Sequence, residues 1–155
     1  MRTKSRRGEV GASAVEFALV TIPVFTILFG LIQYGLYFYS AQTGSSVANS
    51  TVRQLAVGNC RSDTTLTNYV NTQLGGAKDG GATVHRDYVN PNGLAPLGEP
   101  AANVLIGGNV KLTISFPTIN MHFPFVPFLS NPTIVRTVEA RIEDTTEEGC
   151  GYAGP

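Results

Sequence analysis

Groups that do chemistry are scarce in this chain of 155 residues. The only two histidines, His85 and His122, stand apart from each other and from any Cys or carboxylate spacing that resembles a zinc site. No Gly-x-Ser-x-Gly and no Walker loop occurs, so neither a nucleophile elbow nor that phosphate cradle is encoded. The glycine pairs Gly75-Gly76, Gly80-Gly81 and Gly107-Gly108 read as turns. Asp144, Glu147 and Glu148 make a charged, solvated tail, and the sequence defines no calcium cage of about 6–8 oxygens around them. The expectation is a non-enzyme with no metal and no cofactor. Net positive charge is missing too. The formal balance is zero, and residues 1–11 hold four of the eleven basic residues (Arg2, Lys4, Arg6, Arg7) and one of the eleven acidic ones (Glu9), which leaves the rest at −3. That excludes a basic nucleic-acid binder.

What is present is one long apolar run. Residues 14–39 are almost all apolar, and a helix needs roughly 20 such residues to cross a hydrocarbon core of about 30 Å. The basic residues ahead of the run hold that end in the cytoplasm, which puts everything after Ser40 outside it. Tyr34, Tyr37 and Tyr39 crowd the outer end, where amphipathic rings settle at headgroup level. Pro23 removes the backbone bond to the carbonyl of Leu19, so a bend or local melting is expected there. Gln33 is polar and uncharged, and is expected to find a backbone or interfacial hydrogen bond. Glu16 is the one carboxylate inside the run; at bilayer mid-depth such a charge costs roughly 2.5–3.5 kcal/mol, less near an end. It asks for a partner. Cleavage after Gly11 would create one, a new amine at Ala12, and would make Glu16 the fifth residue of the shortened chain. Two plainer readings of residues 1–39 stay open. One is a secretory signal peptide, although its apolar region is usually about 7–15 residues. The other is a signal anchor that is never cleaved, which leaves the position of Glu16 unexplained.

Basic leader, Gly11, four small or apolar residues, Glu16, Phe17 and a long apolar helix resemble a type IV prepilin of the Flp/Tad class. Gly-Ala-Ser-Ala-Val-Glu-Phe-Ala-Leu-Val, residues 11–20, is similar to the opening of TadE-like minor pseudopilins. Major Flp pilins usually carry Glu-Tyr here and are far shorter. The resemblance implies a leader over residues 1–11, processing by a prepilin peptidase between Gly11 and Ala12, and assembly through Glu16 and Phe17, with Glu16 neutralising the Ala12 amine of a neighbouring subunit. It implies partners: the Flp pilin, TadF-like minor pseudopilins and the Tad inner-membrane assembly platform. It also implies a role in pilus assembly, adhesion and surface attachment for a single-pass protein of the cytoplasmic membrane, or one incorporated in the pilus. The alternative is a permanently anchored extracytoplasmic binding or adhesion module.

The helix is expected to continue beyond the membrane as one element over residues 12–58. Ala48, Val52 and Leu55 make an apolar stripe, Gln42, Ser45, Asn49 and Arg53 share another face, and Gly58-Asn59 closes it. Residues 59–155 read as a small extracytoplasmic head. Ser62 or Asp63 starts a short helix to Leu74, with Leu66, Tyr69, Val70 and Leu74 on one side. Strands are expected over 82–89, 109–116 and 133–143, the last two alternating most clearly. The fold class is therefore α+β: a long N-terminal transmembrane helix and a few-stranded antiparallel sheet laid against its outer half. Between the last two strands lies an apolar, aromatic, proline-broken link containing Phe123, Phe125 and Phe128. It either folds over the end of the sheet or docks as an exposed patch on another pilin or on the platform. Cys60 and Cys150, the only cysteines, bracket the head, and in an exported domain they read as one disulfide, with two free thiols as the other possibility. The bridge would close a loop of about 90 residues, for which chain-entropy arguments give ~4.5 kcal/mol.

Overall fold

The structure, a computed structural model, describes residues 7–58, 63–91, 93, 106–123 and 132–143. Its first element is the helix α1, Arg7–Ala56, 50 residues and so roughly 75 Å long. It begins earlier than expected. The last residues of the proposed leader are helical, and the helix runs unbroken across the Gly11–Ala12 bond. It also runs unbroken through Pro23, so the expected melting does not occur. Thr21 and Thr26 turn their hydroxyls inward to the carbonyls of Phe17 (2.7 Å) and Ile22 (2.8 Å), which satisfies them within the helix.

The helix ends where Gly58 takes a φ of 84°, a left-handed position that favours glycine. Its N–H donates back to the carbonyl of Leu55. The helix α2, Asp63–Leu74, buries Leu66, Val70 and Leu74, the stripe legible in the sequence. One turn of 3-10 helix, Gly75–Ala77, follows it. Asn71 then accepts the N–H of Ala82 at 2.9 Å and leads the chain into the sheet.

Strands β1 (Thr83–Val89), β2 (Asn109–Pro117) and β3 (Thr133–Arg141) form an antiparallel sheet in the order β1-β2-β3. Val84 faces Ile114 across the first pair, and Leu112 faces Val138 across the second. Alternation decides which face is buried. Val110, Leu112, Ile114 and Phe116 point at α1 and α2, while Lys111, Glu139 and Arg141 stand on the outer face with the bonded Thr113–Thr137 pair. Arg136, the misfit on the inner face of β3, is half-buried and donates to Ser45 Oγ of α1 at 2.9 Å. The core lies between this inner face, α2 and the outer half of α1, which contributes Val47, Ala48, Val52, Leu55 and Ala56.

The sheet runs alongside α1. At the outer end the Glu143 N–H meets the carbonyl of Ala56 at 2.8 Å. At the inner end Phe116 presses on Gly44: a Cβ at that glycine would lie 2.6 Å from the ring. Beyond Pro117 the chain continues down the helix toward its apolar half. The proposed disulfide, Cys60 with Cys150, lies outside the described residues.

Candidate functional site

Among the described residues, most of the exposed large apolar side chains lie on the first half of α1. From Gly11 to Val20 every residue is exposed, and the apolar window of the helix has no part buried against the rest of the protein. Phe17 is 75% exposed, and Val15, Leu19, Ile22 and Ile27 stand out in the same way. The helix from Gly11 to Ala56 is long and apolar enough to cross a membrane. Gly11 and Ala12 sit in regular helix, with nothing within 4 Å of the place a Gly11 Cβ would occupy. Packing therefore does not require a glycine there. In a helix interior glycine costs about 1 kcal/mol relative to alanine, so Gly11 weakens the helix at the bond that processing would cut. Glu16 lies one turn further on, exposed, with no partner for its carboxylate among the described residues.

The head claims more of this helix than its sequence indicates. Gln33, inside the apolar run, is only 2% exposed. Its amide donates to the carbonyl of Ile119 (2.8 Å) and accepts the N–H of Met121 (3.1 Å), pairing with the backbone of the link after β2 like one rung of a sheet. One turn lower, Phe123 stacks on Phe29 with ring centroids 4.6 Å apart and planes 10° from parallel; Phe25 continues the row at 5.5 Å from Phe29. His122, at a φ of 50°, turns the chain between these contacts, and its N–H is held by Asn120 Oδ1. The hydrogen bond expected of Gln33 therefore exists, but its partner is the head. Of the three link aromatics, Phe123 is half-buried against the helix, and Phe125 and Phe128 lie outside the described residues.

Gln33→Leu is expected to leave the Ile119 carbonyl and the Met121 N–H unpaired, a loss of about 1–3 kcal/mol per buried group left without a partner. Hydrogen exchange at the Met121 amide should accelerate while exchange in β2 stays slow. Unchanged protection of Met121 would show that Gln33 does not hold the link.

Other chemical candidates disperse. His85 is exposed and paired with Asp87 at 3.0 Å. Asp63, at the start of α2, pairs with Arg86 of β1 at 2.8 Å. Among the described residues no three His, Cys, Asp or Glu side chains gather into a metal site.

Residues 11–53 match the family of TadE-like proteins. Over those residues the stem is similar to TadE-like proteins. The match opens at Gly11 and closes at Arg53, so it follows α1 almost throughout and leaves the head outside it. It supports a protein associated with the Tad pilus, with one TadE-like helix suited to a single membrane pass. No curated protein and no solved structure matches the chain.

Proposed function

We propose that the chain is a TadE-like minor pseudopilin, cut by a prepilin peptidase between Gly11 and Ala12 and needed for assembly of the Flp/Tad pilus, and through it for adhesion and surface attachment. It acts as a structural subunit and not as an enzyme. The observation that carries this reading is Glu16: a carboxylate on the fully exposed start of an apolar TadE-like helix, five residues after a glycine that packing does not need. Cutting at Gly11 removes the basic leader and supplies an amine at Ala12. A charge pair with that amine offsets the cost of burying either group alone among apolar helices. Within one chain Ala12 and Glu16 are one helical turn apart, so a pair can form there as well. Only the pair with a neighbour's amine joins subunits.

The leader's positive charge assigns the N-terminus to the cytoplasm and the head to the far side of the inner membrane. Partners on this reading are the prepilin peptidase, a TadF-like pseudopilin, the Flp pilin and the inner-membrane platform. Replacing Gly11 tests the processing step without disturbing the fold, because the site is open. Gly11→Leu is expected to keep the full precursor mass in cells where the parent chain loses its first eleven residues. A Gly11→Leu chain that matures normally would count against peptidase recognition. A parent chain that also keeps its leader would favour the permanently anchored module instead.

A further inference from the structure

We infer that the head rests on the bilayer, with the link from Thr118 to Phe123 lying in the lipid interface of the outer leaflet. The occupant of this surface is phospholipid. The inference requires α1 to span the membrane and is independent of whether the chain is processed or assembled.

The position of the link along α1 carries the argument. Gln33 and Phe29 fix the height of Ile119, Met121 and Phe123. A hydrocarbon core of about 30 Å takes up roughly 20 helical residues. Counted from Ala14, where the apolar run starts, that core ends at Gln33. The link then sits at the boundary between acyl chains and headgroups. On the uncovered side of the helix, just above this level, Tyr34, Phe38 and Tyr39 are 41%, 60% and 54% exposed, which is where an interfacial aromatic belt belongs.

Lifting the link into water would require the core to end below Phe29. Residues 14–28 span only about 22 Å, and Leu31, Ile32 and Phe38 would be left in water. Starting the core earlier, at Val10, would draw the Glu16 carboxylate roughly 9 Å into the lipid. Neither placement suits the chain.

Composition agrees. No Asp, Glu, Lys or Arg occurs from Leu112 to Val135, the longest such stretch in the head, and the link lies within it. All eight phenylalanines of the chain lie either in residues 17–38 or in residues 116–128, and one from each group, Phe29 and Phe123, stack on each other. Met121 is 52% exposed although it is apolar. Lys78 and Asp79 of the head lie beyond the start of the link, where the Asp79 N–H meets the carbonyl of Pro117 at 3.0 Å. In lipid, every backbone polar group needs a protein partner. The Gln33 amide supplies two of them to the link, and in turn has its own polar atoms satisfied.

The chain contains no tryptophan, so one introduced tryptophan reports its own surroundings. The full-length protein would be reconstituted in phosphatidylcholine–phosphatidylglycerol vesicles, with and without bromine atoms near the carbonyl end of the acyl chains. Met121→Trp is expected to lose most of its emission in the brominated vesicles. Phe25→Trp, within the span, should be quenched by bromines placed deeper. Val89→Trp, at the far end of β1, should not change. Met121→Trp emission that is as insensitive to bromine as that of Val89→Trp would overturn the inference. That holds whether the emission is water-like or blue-shifted by contact with a second copy of the chain. An unquenched Phe25→Trp would overturn it at the root, because α1 would then not be the span.

Discussion

Cells carrying Glu16→Ala in place of the parent chain are expected to insert the protein into the membrane, process it, and make no pili. The substitution removes a charge from an exposed helix face, so the fold of the head, which begins some four turns further along, has no reason to change. Insertion becomes slightly easier, since a carboxylate near the end of a span carries a cost that alanine does not. What is lost is the partner for the Ala12 amine. A charge buried without its counterpart typically costs about 3–5 kcal/mol, a factor of roughly a hundred to a few thousand in an equilibrium, and every junction that this subunit makes would bear it. Glu16→Asp should recover part of the effect and Glu16→Gln little, because the pairing depends on charge and reach. Surface-shed filaments, quantified beside the membrane content of the variant, give the measurement. Normal fibre formation by Glu16→Ala would remove the role assigned to this carboxylate.

The second large effect is expected at Gly44. A Cβ there would lie 2.6 Å and 2.7 Å from Phe116 Cζ and Cε1, and that ring is fully buried with Ile134 behind the contact. The ring is fully buried, so it can make room only by displacing its neighbours, and Gly44→Val is expected to loosen the contact of β2 with α1. Overpacking of a tight core costs about 1–3 kcal/mol and occasionally more, and two further methyl groups place this case at the upper end. Gly30→Val supplies the comparison, since that glycine has open space around it on the same helix. Denaturation of both variants in detergent should show a much earlier transition for Gly44→Val and a change within about 0.5 kcal/mol for Gly30→Val. Equal effects at both positions would mean that the helix–sheet contact is looser than the geometry shows. Gly44 also bears on where the head sits. It marks a level at which the sheet presses on the helix, between the Gln33 contact below and the Ala48–Leu55 stripe above.

Much of this architecture was legible before any coordinates. The alternation Val110, Leu112, Ile114, Phe116 specifies a strand with one buried face, and Leu66, Val70 and Leu74 specify a helix side, because period alone decides which residues share a surface. Gly58 and Gly75 mark helix ends for the same local reason. The stem was legible through its apolar length and through the residues from Gly11 to Phe17. Three features were not. The helix reaches back to Arg7, since a basic, polar segment carries no periodic apolar signal. Gly44 reads as one more small residue among Thr43, Ser45 and Ser46 until Phe116, distant in sequence, is seen against it. Gln33 was visible as the odd polar residue of the span, but its partners are about 90 positions away, and no local pattern encodes such a pairing. Apolar length alone therefore assigns the whole run to Tyr39 to the membrane. In the structure one side of that run, from Phe29 outward, belongs to the head.

On this reading the chain works with a new amino terminus one turn from Glu16. The decisive measurement is the intact mass and terminal sequence of the protein purified from its native host under conditions where fibres are made. A chain that starts at Ala12 is expected. A chain that starts at Met1, isolated from cells bearing normal fibres, would refute the role of that terminus.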